Sequence, residues 1–94
     1  MLILPAEITH EQAAACCRML AQGMRSQPDP AVVADAAALS RFDSSALAVL
    51  VDCRREALAL GKTFSVIRLP ARLSELAKLY GVAELLPAPA PGRA

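Results

Sequence analysis

The chain has 94 residues, 55% of them hydrophobic, which suits a single domain with a sizeable core. Ten basic and nine acidic residues leave a formal net charge of +1, so no long-range field is expected to attract nucleic acid or an anionic membrane. No apolar run reaches the roughly 18 residues that a membrane span needs, and the N-terminus lacks the pattern of a signal peptide. These totals predict a cytoplasmic protein that neither binds nucleic acid nor inserts into a membrane.

Strands and helices are predicted to alternate along the chain. Short apolar runs rich in β-branched residues predict three strands, at residues 2–4, 31–36 and 63–69. Apolar residues that recur at steps of three and four predict three helices, at about residues 9–25, 44–60 and 71–80. Thr9 and Gln12 have the spacing of a capping box, and Gly61 and Gly81 are typical helix stops.

This alternation predicts an α/β fold, with a small, mostly parallel sheet of three or four strands and helices packed against it. Residues 37–42 are interpreted as a loop, and residues 82–86 as one more short helix or strand. A single domain is expected over residues 1–87, followed by a disordered, proline-rich tail at residues 88–94.

Residues that could support catalysis are few. The cysteines, Cys16, Cys17 and Cys53, are odd in number and two are adjacent, which is typical of buried thiols in a reducing compartment and not of a disulfide framework. His10 is the only histidine, and no spacing places it with a serine as a Ser-His-Asp triad requires. A glycine-rich phosphate loop and metal-ligand spacings are both absent from the sequence. The sequence therefore predicts no cofactor and no metal, and a small hydrolase or thiol enzyme has little support.

The stretch Asp43-Ser44-Ser45 stands where a loop leaves the second predicted strand and the second helix begins. Asp and Ser are preferred there because their oxygens accept hydrogen bonds from free backbone N–H groups. The same position is the positive end of the helix dipole and lies beyond the carboxyl end of a strand, where open α/β sheets place their binding sites. Two interpretations follow, a helix cap alone or a binding site. The charged residues around Arg55, on the polar side of the second predicted helix, also allow two interpretations: a solvated surface or an interaction face.

The Asp-Ser-Ser motif, the apolar run at residues 46–50 and the pair Gly61-Lys62 together resemble the STAS domain family. In that family the first hydroxyl residue after the Asp heads a helix, and in anti-sigma factor antagonists it is the phosphorylated serine; the matching residue here is Ser44. The resemblance covers about residues 2–87. Three further segments are similar to the MlaB branch of the family, the STAS subunits of Mla phospholipid ABC transporters: residues 4–9, 76–82 and 85–87.

The resemblance implies a non-catalytic subunit that binds and supports the ATPase of an Mla-type transporter, which moves phospholipids between membranes and maintains outer-membrane lipid asymmetry in Gram-negative bacteria. Through that partner the protein would lie peripherally at the inner membrane. The alternative is an anti-sigma factor antagonist whose partner is a kinase that phosphorylates Ser44. The residues expected to bind the partner are Ser40, Arg41, Asp43, Ser44, Ser45, Ala46, Ala48 and Arg55.

The chain also departs from the family pattern. The antagonists usually carry an Asp at the position that matches Thr9. The absence of this Asp argues against the hypothesis that Ser44 is phosphorylated. Ala46 replaces a usual Gly, and Ala favours a helix by about 1 kcal/mol over Gly. The additional N-terminal strand of many STAS domains has no counterpart here.

Overall fold

The computed structural model describes residues 1–88, which form three α-helices, five strands and a 3-10 turn. In chain order the elements are β1 (Leu2–Ile3), β2 (Glu7–Ile8), α1 (Ala13–Ser26), β3 (Ala31–Asp35), β4 (Arg41–Phe42), α2 (Ser45–Ala59), β5 (Thr63–Ile67), α3 (Ala71–Leu79) and the 3-10 turn Ala83–Leu85.

The main sheet has three parallel strands in the order β1-β3-β5. Leu2 pairs with Ala34 in one ladder, and Val32 pairs with Phe64 in the other. Because sheet order follows chain order and such crossovers are right-handed, α1 and α2 lie on the same face of the sheet. The predicted α/β fold, with its small parallel sheet, is confirmed.

A second ladder, which the sequence interpretation missed, joins β2 to β4. Glu7 pairs with Arg41 and Ile8 with Phe42, again in parallel. The prediction of a loop throughout residues 37–42 was therefore wrong at its last two residues. The N-terminal segment thus pairs first with β3, through β1, and then with β4, through β2. The second pairing lies just before the start of α2.

The core lies between the sheet and the helices. Side chains alternate between the two faces of the sheet along each strand. Val32, Phe64 and Val66 are buried because they lie on the face that the helices cover. On the opposite face Ile3 is 62% exposed and its register partner Asp35 is 8% exposed. The helices contribute these buried residues: Cys16, Leu20 and Met24 from α1; Ala46, Leu47, Val49, Leu50, Cys53 and Ala57 from α2; Leu73 and Ala77 from α3.

The predicted helices match at their C-terminal ends but not at every start. Gly61 and Gly81 follow α2 and α3 with φ of +74° and +72°, the left-handed conformation that ends many helices. The first helix begins at Ala13 and not at Thr9, because residues 9–12 form a separate turn. Within that turn Gln12 Oε1 accepts a hydrogen bond of 2.9 Å from the Thr9 N–H, which is the reach-back contact of a capping box. The final short element is the 3-10 turn.

In residues 1–88, none of the helices combines the length and the apolar character needed to cross a bilayer. The predicted disordered tail falls, apart from Ala88, on residues outside the described part of the chain.

Candidate functional site

The loop before α2 is fixed to the N-terminal segment by backbone hydrogen bonds. The N–H groups of Ser40 and Arg41 both donate to the Ala6 carbonyl, at 2.9 and 3.0 Å. The Asp43 N–H donates to the Ile8 carbonyl at 3.4 Å. The start of α2 is therefore held next to the short β2–β4 ladder. It lies beyond the carboxyl end of β3, which is where parallel sheets have their ligand-binding sites.

Asp43 is the residue that caps α2. Its Oδ1 accepts a hydrogen bond of 2.8 Å from the Ser45 N–H, and its Oδ2 accepts one of 3.1 Å from the His10 N–H. These backbone donors, the Ser45 N–H first, hold the pKa of the Asp43 carboxyl below its usual value. The carboxylate thus joins the helix start to the turn before α1.

Ser44 makes no side-chain cap hydrogen bond and is exposed. The sequence indicated that any residue of the Asp-Ser-Ser stretch could cap the helix. In the structure Asp43 is the cap, and the Ser44 hydroxyl is available to solvent. Ser45, the next residue, is half-buried. The Ser44 hydroxyl is therefore the polar group that the helix start presents outwards.

The exposed face of α2 continues from Ser44. Ala48, Asp52 and Arg55 follow it at steps of four, four and three, and all are exposed, as expected for one face of a helix. Arg55 Nη1 lies 3.7 Å from Asp52 Oδ1, one turn apart. This face, Ser44 to Arg55, is continuous with the loop.

Ala46 does not belong to this surface. It is 0% exposed and packs in the core, so its predicted contact with a partner was wrong. Every residue from 46 to 51 is apolar, so the sequence does not specify which face of the helix points inwards. Of the two alanines expected to allow a close approach, Ala48 is the exposed one.

Two exposed residues flank the loop on the side of β2. The Ser40 hydroxyl donates to the Ala6 carbonyl at 3.3 Å, and Arg41 Nε lies 3.7 Å from Glu7 Oε2. The structure thus brings together Ser40, Arg41, Asp43, Ser44 and Ser45 at one end of the domain, with Ala48 and Arg55 along the adjoining helix face.

His10 lies beside this loop, which no sequence spacing indicated. Its Nδ1 is 3.6 Å from Asp43 Oδ2, although the imidazole is largely exposed. Its neighbour is the carboxylate, and among residues 1–88 no hydrogen bond joins it to a serine hydroxyl. The group does not have the arrangement of a Ser-His-Asp triad, in which histidine is hydrogen-bonded to the serine oxygen.

The three cysteines are free thiols, as the sequence predicted. Cys16 and Cys53 are buried and Cys17 is half-buried. Burial raises the pKa of Cys53 to about 12, and burial followed by the neighbouring Asp52 carboxylate raises the pKa of Cys17. Both thiols are therefore neutral near pH 7, whereas a reactive cysteine needs a thiolate.

An ion pair between the buried Asp35 and the exposed Arg68 was also missed. Arg68 donates from Nη2 to Asp35 Oδ2 at 2.6 Å and from Nε to Oδ1 at 3.1 Å. The Arg68 guanidinium, followed by the Ala37 N–H at 2.9 Å, holds the pKa of the Asp35 carboxyl below its usual value. The pair ties the end of β3 to the chain after β5. An aspartate that ends an otherwise apolar strand was the one available signal.

Comparison with known proteins supports the fold described above. The solved structure of the anti-sigma factor antagonist SpoIIAA in its unphosphorylated form is similar, with a TM-score of 0.70 at 13% identity, covering 95% of this chain and 77% of that chain. At this identity the likeness establishes the fold alone. No curated protein matches the chain at a significant level. A family model described as an MlaB STAS domain matches residues 1–87. The chain belongs to this MlaB-type STAS domain family.

Proposed function

We propose that this protein is a non-catalytic subunit that binds the ATPase of an Mla-type phospholipid ABC transporter and supports its assembly or activity. The family membership supports this proposal, since STAS domains generally act in protein–protein interactions. In this proposal the protein is cytoplasmic and lies at the inner membrane through its partner. Lipid would be handled elsewhere in the complex.

The exposed Ser44 hydroxyl is the observation that carries the proposal. Asp43 supplies the cap, so Ser44 stands free at a helix start that the β2–β4 ladder holds in place. Ala48 lies one turn further along the same exposed face and allows a partner to approach closely. The proposed contact surface comprises Ser40, Arg41, Asp43, Ser44, Ser45, Ala48 and Arg55.

Substitution of Ser44 tests this surface. Ser44→Glu should place a charge against a closely packed partner, and a desolvated unpaired charge typically costs several kcal/mol, enough to weaken binding about a thousandfold or more. The fold should be retained because a carboxylate at a helix start suits the dipole. We therefore expect Ser44→Glu to keep a near-native Tm yet not co-purify with the co-expressed ATPase subunit, whereas Ser44→Thr binds normally.

Ser74→Glu is the matched control, since it makes the same change in the first turn of α3. It should leave co-purification intact. If Ser44→Glu binds as well as the parent, the partner surface lies elsewhere. If Ser44→Glu unfolds the domain, Ser44 has a structural role and the surface assignment loses its basis.

A second candidate function is that of an anti-sigma factor antagonist regulated by phosphorylation at Ser44. An exposed hydroxyl at the positive end of a helix dipole favours it, because a phosphate would be stabilised there. Thr9, at the position where antagonists usually have Asp, argues against it. Phosphorylation of Ser44 by a kinase encoded beside this gene would favour this function, whereas transporter genes in that position would favour the first.

A further inference from the structure

Arg68 has a backbone conformation that its residue type disfavours. Its φ is +57°, in the left-handed region, and within residues 1–88 the other residues with a positive φ are Gly61 and Gly81. Glycine is favoured in this region because it has no Cβ, whereas a side chain there costs free energy. Such a conformation persists only where other contacts hold it in place, so the contacts of the Arg68 side chain are of interest.

The short connection between β5 and α3 explains why the turn falls on this residue. The connection comprises Arg68, Leu69 and Pro70. The ring of Pro70 fixes its own φ, which is −56°, and disfavours helical angles at Leu69. Arg68 is therefore the residue at which the chain can change direction after β5.

The Arg68 side chain ends on Asp35, where several hydrogen bonds meet at the carboxyl end of the main sheet. Asp35 Oδ2 accepts from Arg68 Nη2 at 2.6 Å, and Oδ1 accepts both Arg68 Nε at 3.1 Å and the Ala37 N–H at 2.9 Å. The Asp35 carbonyl accepts the Leu4 N–H at 2.9 Å. Asp35 is 8% exposed, so water competes little for these contacts.

The segment that follows Asp35 leads into the proposed partner surface. The Ala36 N–H donates to the Ile67 carbonyl at 3.0 Å, and the Leu39 N–H donates to the Ala36 carbonyl at 3.1 Å. The next residue, Ser40, is the first of the proposed contact surface. One hydrogen-bonded turn thus separates Asp35 from that surface, so the orientation of the Asp35 carboxylate affects where the surface begins.

We propose that Arg68 is a positioning residue for the partner surface and acts through Asp35. Its guanidinium orients the Asp35 carboxylate, and the carboxylate holds the Ala37 N–H. The turn that begins there sets the position of Ser40. This inference rests on the proposed function for its effect on affinity, whereas the ordering of the turn is a property of the protein alone.

Amide hydrogen exchange of the protein alone, resolved by residue with NMR, tests the ordering of the turn. In Arg68→Ala the amides of Ala37, Leu39 and Ser40 should exchange at least about tenfold faster than in the parent, because the turn opens more easily. The Leu20 amide, in the buried part of α1, reports any change in global stability. An increase at the turn no larger than the increase at Leu20 would overturn the inference.

Arg68→Gly separates positioning from stability. Glycine suits the left-handed backbone but removes the guanidinium, so this variant should have a higher Tm than Arg68→Ala. The turn amides should nevertheless exchange as fast in Arg68→Gly as in Arg68→Ala. If exchange at the turn instead slows in step with the higher Tm, Arg68 only stabilises the fold and the positioning role is overturned. This variant also keeps the test available if Arg68→Ala does not fold.

Titration of the purified ATPase subunit into each variant measures the effect on affinity. Arg68→Ala and Arg68→Gly should each raise the Kd at least about fivefold, because a smaller fraction of the protein holds the surface in its binding position. Arg68→Lys should recover part of this loss, since an ammonium group can still pair with Asp35. Adding Arg68→Ala to Asp35→Asn should weaken binding little further, because both substitutions break the same link.

Arg72→Ala is the matched control, since it removes the same charge from an exposed position in the first turn of α3. It should bind like the parent. If it weakens binding as much as Arg68→Ala does, the effect is one of charge alone and the inference is overturned.

The two readouts separate the inference from the proposed function. If the turn amides respond as expected but the parent does not bind the ATPase, the proposed function fails and the positioning of the loop by Arg68 stands. If the parent and Arg68→Ala bind the ATPase equally well, the proposed function stands and the positioning role in binding is overturned.

Discussion

Asp43 and Ser44 are neighbours at the start of α2, but only the side chain of Asp43 accepts a hydrogen bond from the helix backbone. Removing a capping carboxylate leaves that N–H without its partner, whereas removing the Ser44 hydroxyl breaks no such contact. Asp43→Ala should therefore lower the Tm by roughly 4–8 °C, and Ser44→Ala should leave it nearly unchanged. Thermal unfolding followed by circular dichroism measures both. Equal losses in the two variants would contradict the assignment of Asp43 as the cap.

The Asp35–Arg68 pair makes stability depend on pH. Because the folded-state pKa of Asp35 is below the unfolded value of about 3.9, its contribution is complete above that value and is lost as the pH falls through the folded pKa. Asp35→Asn should therefore be less stable than the parent at pH 7, and the gap should close towards pH 2.5. The measurement is the Tm of each protein between these pH values.

Glu75→Gln is the control for this experiment, because Glu75 is exposed on α3. The pH dependence of the Tm of Glu75→Gln should be parallel to that of the parent. Asp43 acts in the same direction as Asp35, since its pKa is lowered too, so Asp35→Asn should flatten the pH dependence without removing it. A gap that stays constant down to pH 2.5 would rule out the ion pair as its source.

At the scale of elements, Gly61 shows how α2 ends. Its φ of +74° lets the Lys62 N–H donate to the Ala57 carbonyl at 2.9 Å, which closes the helix. An added Cβ would meet no described atom within 4 Å, so the cost of Gly61→Ala is purely conformational, about 1 kcal/mol. Urea unfolding should show this loss, and Gly61→Asn should lose less because Asn tolerates the left-handed region. An unchanged free energy of unfolding in Gly61→Ala would contradict this account.

The elements also show what sequence patterns can and cannot reveal. The strands β3 and β5 and the ends of α2 and α3 were predictable, because apolar periodicity and glycine stops are local signals. The β2–β4 ladder was not, since two-residue strands have no periodicity and their pairing depends on residues 34 positions apart, 7 and 41.

The candidate site follows the same rule. Asp43, Ser44 and Ser45 were identified because they form a contiguous motif at a helix start. The inward position of Ala46 was not identified. Its position depends on how α2 is rotated against its neighbours, and the uniformly apolar run at residues 46–51 does not specify that rotation.

For the molecule as a whole, the proposed function predicts no turnover by the isolated chain. The sequence has no phosphate loop, and its cysteine thiols are kept protonated by burial. The purified protein should therefore neither hydrolyse ATP nor cleave esters above background. Phosphate-release and chromogenic ester assays measure this. Turnover that follows the protein through purification and disappears in Ser44→Ala would instead identify an enzyme.

The parallel sheet has a consequence for how fast the chain can fold. Residue 34 pairs with residue 2, and residue 63 pairs with residue 31, so both ladders of the main sheet join positions 32 apart. Within residues 1–88 all the strand pairs are parallel, so no hairpin shortens these separations. Each connection must close at a cost in entropy before the strand contacts that offset this cost can form. Refolding after a denaturant jump should therefore take on the order of milliseconds or longer, slower than a helical bundle of equal length. The start of α2 is held by hydrogen bonds between residues 40–43 and residues 6–8. It can therefore take its final position only when these two segments have paired.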